Sequence, residues 1–128
     1  MNQLVINPTK TPITLALVQK LVWADEPIIF TGTDELGNDY IVFRPDSKKE
    51  EYYLAMYDED TFAEIMQQEK IYPYDILLSG VNRACIVQNK RTKKYDTEFL
   101  SKMALAQILH KYRNVYYRRS GPCDEKNE

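Results

Sequence analysis

Hydrophobic positions recur at two different spacings along the chain, and the switch between them marks the elements. Residues 4–6 form a short apolar patch, and Pro8 and Pro12 then forbid a continuing helix. Over residues 13–23 the signal is double. Ile13, Leu15 and Leu17 alternate as in a strand, whereas Ile13, Leu17 and Leu21 recur as in a helix; the alternation favours a strand. PIIFTGT (27–33) and YIVFR (40–44) are β runs flanking the turn cluster DELGND (34–39). Gly37 and Asn38 accept the positive φ of a tight reversal, so these segments predict a β-hairpin. A polar loop follows, and YYLAMY (52–57) predicts a third antiparallel strand.

From residue 58 the spacing becomes helical. Residues 58–70 carry Phe62, Ile65 and Met66 on one face, with Asp58 or Asp60 as cap and Thr61 with Glu64 at capping-box spacing. Pro73 suits a first helical turn, residues 76–78 are apolar, and Gly80 is a stop. RACIVQ (83–88) predicts a returning strand, and NKRTKK (89–94) a basic loop. Thr97 is placed to cap a long helix running to about Arg113, with residues 115–119 extending beyond it. On that helix Phe99, Met103, Ala106 and His110 share one stripe, and Leu105, Leu109 and Tyr112 a neighbouring one.

These elements predict a single α+β domain over residues 1–119, with a small, mainly antiparallel sheet packed against two or three helices. The long helix 97–113 is expected to cover the sheet, and residues 120–128 to be a disordered tail. The length of 128 residues suits one domain with a sizeable core. No run approaches the ~18 apolar residues of a membrane span, and no secretory leader pattern opens the chain. The expectation is therefore a cytoplasmic protein, in the host cytoplasm if the source is viral, with no membrane partner.

DEPIIFTGTDELGNDYIVF, YYLAMYDEDTFAEIMQQEKIYPYDILL and RACIVQ together resemble a small bacterial and phage family known only as a domain of unknown function. The resemblance covers about residues 23–88. It implies a hairpin with an acidic–Gly turn, a third strand, a short helix pair and a returning strand. It implies no activity, and no functional residue carries over from it.

Charge changes the picture more than composition does. Residues 1–81 hold six basic and fourteen acidic side chains, residues 82–119 ten basic and two acidic, so the formal net charge of −2 hides two opposed fields. The basic half interleaves cations with rings: Lys90, Arg91, Lys93 and Lys94, then Lys111, Arg113, Tyr116, Tyr117, Arg118 and Arg119. Cations for phosphates beside rings for bases are what a nucleic-acid surface needs. The acidic half offers Asp25, Glu26, Asp34, Glu35, Asp39, Glu50, Glu51, Asp58, Glu59 and Asp60, mostly at strand ends, where they would suit a basic groove on another protein. Basic and acidic halves of two copies would also fit each other, as in a homodimer. Ten tyrosines, each a ring with a polar tip, lean towards a binding surface.

Catalytic and cofactor chemistry is thin by comparison. The four glycines are isolated, so no phosphate-binding loop is present, and one His with two Cys cannot build a structural zinc site. Asp34, Asn38 and Asp39 lack the order of a calcium loop and read as turn residues. His110 is expected on an apolar stripe and Cys85 in a strand, which leaves a Cys–His enzyme as a third reading. No cofactor is expected. The leading expectation is a non-enzymatic interaction protein, of phage or mobile-element accessory or inhibitory type, acting by steric and electrostatic occlusion of a macromolecular partner. Another protein is the favoured partner. Direct nucleic-acid binding through the basic half is the alternative.

Overall fold

Hydrogen bonding joins seven strands into one antiparallel sheet in a computed structural model that describes residues 3–6, 13–23, 26–46 and 49–119. In chain order the elements are β1 (Gln3–Ile6), β2 (Ile13–Trp23), β3 (Pro27–Thr33), β4 (Asp39–Phe43), β5 (Glu51–Tyr57), α1 (Glu59–Met66), β6 (Lys70–Ile71), α2 (Pro73–Ser79), β7 (Val81–Gln88), β8 (Tyr95–Phe99), α3 (Lys102–Ile108), a 3₁₀ turn (His110–Tyr112) and β9 (Tyr117–Arg118). The large sheet runs β1-β2-β3-β4-β5-β7-β8, and β6 pairs with β9 in a separate two-stranded ribbon. The α+β class and the antiparallel sheet agree with the sequence reading. The predicted tail, residues 120–128, lies outside the described residues, as does Asp25.

The sheet curls until β1 and β8 approach within 8 Å, Cα to Cα. Irregularities in the β2–β3 register, between Leu17 and Gln19 and again between Lys20 and Trp23, account for part of that curl, because bulges sharpen the right-handed twist. They also explain the double signal of residues 13–23. Leu15 packs into the inner core, whereas Leu21 and Val22 pack on the outer face, so a strict alternation is broken within one strand.

Alternation along β4, β5 and β7 is regular, and the sheet as a whole feeds two cores. Phe30, Tyr40, Val42, Tyr52, Leu54, Ala84 and Ile86 fill the concave side with Leu15. Ile29, Ile41, Phe43, Tyr53, Ala55 and Tyr57 point outwards and are covered by Ile65 of α1, Ile76 and Leu77 of α2, Leu105 of α3, Leu109 and the ribbon residue Ile71. Strands buried on both faces read as continuous apolar runs, and YIVF and YYLA have that character.

Local signals set the first two helices. Asp58 caps α1, its carboxylate accepting from the Thr61 amide at 2.7 Å, so the helix begins at Glu59 without the Thr61–Glu64 box and ends at Met66, short of residue 70. Pro73 opens α2 and Gly80 follows its last residue. Gly80 is needed for close approach: a Cβ there would lie 2.6 Å from the Ala55 Cβ and 2.9 Å from the Tyr57 ring.

The predicted helix over 97–113 is overturned. Residues 95–99 instead pair with β7, Tyr95 opposite Gln88 and Phe99 opposite Ala84. The Asn89–Lys94 turn brings them back along the open edge of β7, where backbone partners await and Tyr95, Thr97 and Phe99 have strand character. Ser101, not Thr97, caps a helix of only seven residues by accepting from the Ala104 amide at 3.1 Å. Leu105 and Leu109 are buried, while Met103 is 72% exposed and His110 lies on the surface, so the core uses one predicted stripe and leaves the other to solvent. Among the described residues no helix is long and apolar enough to cross a membrane.

Candidate binding surface

Two buried charges organise the opposite ends of the sheet. At one end, Asp34 is 7% exposed and its carboxylate is saturated: it accepts from the amides of Leu36 (3.0 Å) and Asn38 (2.8 Å), from Asn38 Nδ2 (3.0 Å) and from the Tyr40 hydroxyl (3.1 Å). Burial raises the carboxyl's pKa, but the hydrogen bonds from Asn38, Tyr40 and Leu36 outweigh it, and the net direction is downwards. Gly37, at φ +89°, completes the turn.

At the other end, Arg44 is 5% exposed. Its guanidinium pairs with Glu26 through Nη1 and with Glu50 through Nη2 at 2.7 Å, donates from Nε to the Lys49 carbonyl at 3.2 Å, and lies 5.5 Å from the Tyr52 ring centre. Glu50 Oε1 accepts from the hydroxyls of Tyr52 (2.5 Å) and Tyr95 (3.1 Å). Burial lowers the Arg44 pKa, the contacts with Glu26, Tyr52 and Glu50 raise it, and the net direction is upwards. The signal in the sequence was an arginine closing the apolar run YIVF, with glutamates before and after it.

The acidic set is therefore divided. Glu26, Glu50 and Glu51 lie at the Arg44 end, with Glu26 and Glu50 committed to the guanidinium. Glu35, Asp39, Asp58, Glu59 and Asp60 lie at the Asp34 end, where Asp39 also accepts from the Thr33 hydroxyl at 3.1 Å. Strand direction separates these groups: among the described residues Glu35, Asp39, Asp58, Glu59 and Asp60 gather with Asp34 at one end and the others lie at the Arg44 end, so the set is split between two ends.

The basic set is divided as well. Lys90, Arg91, Lys93 and Lys94 sit on the β7–β8 turn, organised by Asn89, whose Oδ1 accepts from the amides of Arg91 and Thr92 at 2.9 and 3.0 Å. A cleft of about 450 Å³ beside that turn is lined by Lys49, Lys90 and Lys93 but also by Glu50 and Glu51, so the field there is of mixed sign. Arg119 turns inwards: its guanidinium closes the C-terminal end of α1 by donating to the Met66 carbonyl. Arg113 contacts His110 Nε2 at 2.5 Å, and the Lys111 ammonium lies over the neighbouring Tyr112 ring.

The ribbon gathers what remains. Lys70 pairs opposite Arg118 and Ile71 opposite Tyr117, and just beyond the paired residues the Tyr72 ring meets that of Tyr116. Alternation sends Ile71 and Tyr117 inwards. Ile71 is fully buried, and the Tyr117 ring meets Phe43 with centroids 6.0 Å apart, while Tyr112 meets the same ring edge-on at 5.5 Å. Lys70, Tyr72, Tyr116 and Arg118 are left on the outer side, all exposed. Tyr72 and Tyr116 are 37% and 45% exposed with ring centres 5.4 Å apart, and the Lys70 ammonium lies 5.2 Å from the Tyr116 ring centre.

Compared with models of protein families, with curated proteins and with solved structures, the chain matches none.

Lys70 and Tyr72 were missed in the sequence because they lie 48 and 44 residues from their ribbon partners, in a segment that reads as helix end and linker. The Cys–His pair is not assembled: His110 faces Arg113, and Cys85 lies in β7 opposite Tyr53. Burial, with Glu51 and Glu98 nearby, pushes the Cys85 thiol up to about 11 against the opposing pull of Tyr53, which makes it a poor nucleophile at neutral pH. Among the described residues no group of three His, Cys, Asp or Glu side chains is arranged to hold a metal ion.

Proposed function

We propose that this chain is a non-enzymatic interaction protein that acts by occupying an anionic macromolecule, and that the outer face of the β6–β9 ribbon is its contact surface. The observation that supports this reading is the grouping of Lys70, Tyr72, Tyr116 and Arg118 on one exposed face backed by a buried one. Tyrosine and arginine are the residues that concentrate binding energy at interfaces, because large rings and planar cations are desolvated at small entropic loss. The inner anchors Ile71, Tyr117 and Phe43 hold the patch rigid, which lowers the ordering term of binding. The acidic groups at the Asp34 end would repel such a partner's phosphates or carboxylates and so orient its approach.

The test is capture from a lysate by the full chain and by a Lys70→Glu, Arg118→Glu double variant, each with and without nuclease. A partner held by the parent chain, released by raised salt and absent with the double variant supports the reading. Capture that is the same for both chains overturns it.

A further inference from the structure

Deepening that reading, and resting on it, we infer that the ribbon's occupant is an unpaired nucleic-acid strand, with Tyr72 and Tyr116 stacking on bases and Lys70 and Arg118 holding adjoining phosphates. Three features of the patch select this partner. First, the two rings keep 37% and 45% of their surface in solvent while meeting one another, and unstacked bases can stack on the ring surface left open; base–aromatic stacking is worth about 1–3 kcal/mol per base. Second, the ribbon lies flat. Its inner side, Ile71 and Tyr117, is packed on Phe43, so it cannot stand off the surface and enter a duplex groove as a free β-ribbon does. Third, the patch is small. Opposed residues in an antiparallel pair are about 5 Å apart, and alternate residues along a strand about 7 Å, which gives room for roughly two nucleotides. Glu69 and Asp75, both exposed and adjoining the patch in sequence, discourage a longer phosphate track.

An acidic polypeptide would satisfy the two cations equally well but would engage the rings only where it carries an aromatic or apolar side chain, whereas every base of an unpaired strand has a π-face. The tyrosines therefore favour the nucleic-acid strand. The basic turn at Lys90–Lys94 has cations without neighbouring exposed rings, and its cleft contains Glu50 and Glu51, so it is not part of this site.

The experiment is fluorescence anisotropy with the full chain and four labelled ligands: a dodecamer of thymidylate, a dodecamer of uridylate, a duplex dodecamer and a poly-glutamate peptide. The expected result is saturable binding of the single strands at about 50 mM salt, with a log–log salt slope of about −1.4, the value for two phosphates. Tyr72→Ala and Tyr116→Ala are each expected to weaken binding about 10-fold, and Tyr72→Phe to leave it intact, since stacking needs the ring and not the hydroxyl. A Lys90→Ala, Lys93→Ala variant is expected to bind as the parent does. Unchanged thermal midpoints in these exposed variants keep binding separate from folding.

Binding of poly-glutamate but not of the single strands overturns the nucleic-acid inference and leaves the interaction reading standing. Equal or tighter binding of the duplex, or loss of binding in the turn variant alone, also overturns it. Failure of all four ligands, together with unchanged lysate capture by the Lys70→Glu, Arg118→Glu variant, removes both.

Discussion

Lys70 and Arg118 stand directly opposite one another across the β6–β9 ribbon, two cations where an antiparallel pair gains most from opposite signs. Stability and binding therefore make opposed demands here. Arg118→Glu places a carboxylate opposite Lys70 and keeps the Lys70–Tyr116 contact. It is expected to stabilise the fold by about 0.5 kcal/mol, roughly 2 °C in thermal midpoint, while abolishing binding of the anionic partner. A melt and a binding titration on the same preparation check this. A variant that loses both stability and binding would make the arginine structural.

The Arg44 cluster should behave as one unit. Arg44→Ala leaves the carboxylates of Glu26 and Glu50 uncompensated at the rim of the core and is expected to destabilise by about 2–3 kcal/mol. Glu50→Gln keeps an acceptor for the hydroxyls of Tyr52 and Tyr95 and should lower stability by only about 1 kcal/mol. Urea unfolding of both variants separates the two effects, and equal losses would contradict the proposed hierarchy.

Gly80 packs against β5 so closely that even a methyl group collides with Ala55, which has no rotamer to yield. Gly80→Ala is expected to destabilise by about 2–3 kcal/mol through overpacking, although its φ of −83° is open to any residue. A shift in urea midpoint with an unchanged m-value is the expected signature.

Asp34 links stability to acid. Its folded pKa is depressed, so its contribution is fully present above the unfolded value of about 3.9 and is lost as pH falls through the folded value. Asp58 shifts in the same direction through the Thr61 amide and side chain. The expected outcome is a urea midpoint that is flat from pH 7 to about pH 5 and falls below pH 4. Asp34→Asn should start lower at pH 7, by about 1 kcal/mol, and show a shallower acid decline. An identical acid slope in the variant would exclude Asp34 as a source.

Cys85 shifts the opposite way. Burial leads, and with Glu51 and Glu98 it raises the thiol to about 11, so the group stays protonated at pH 8 in the folded chain and its stabilising effect is lost as pH rises towards that value. In a Cys123→Ser background, alkylation by iodoacetamide at pH 8 is expected to be slow in buffer and fast in urea. Equal rates would contradict the burial of the thiol.

What the amino-acid order determined by itself is what depends on neighbours in the chain. The hairpin of β3 and β4 follows from two β runs around Asp34, Gly37 and Asn38. The strand β5, the cap Asp58, the Pro73 start and the Gly80 stop follow equally local rules. Each is set by sterics and hydrogen bonds spanning a few residues, so the α+β class was legible. Tertiary structure decided the rest, because the deciding partners are remote. Residues 95–99 became a strand when the Asn89–Lys94 turn returned them to the vacant edge of β7. Both faces of β2 were set by bulges against β3. Above all, the candidate site exists only because residues 70–72 and 116–118 meet over Phe43, which no local pattern encodes. The charge asymmetry along the chain became one mixed end, one acidic end and one basic, aromatic ribbon, since strand direction sorts residues by where they fall along the sheet and not by their order in sequence.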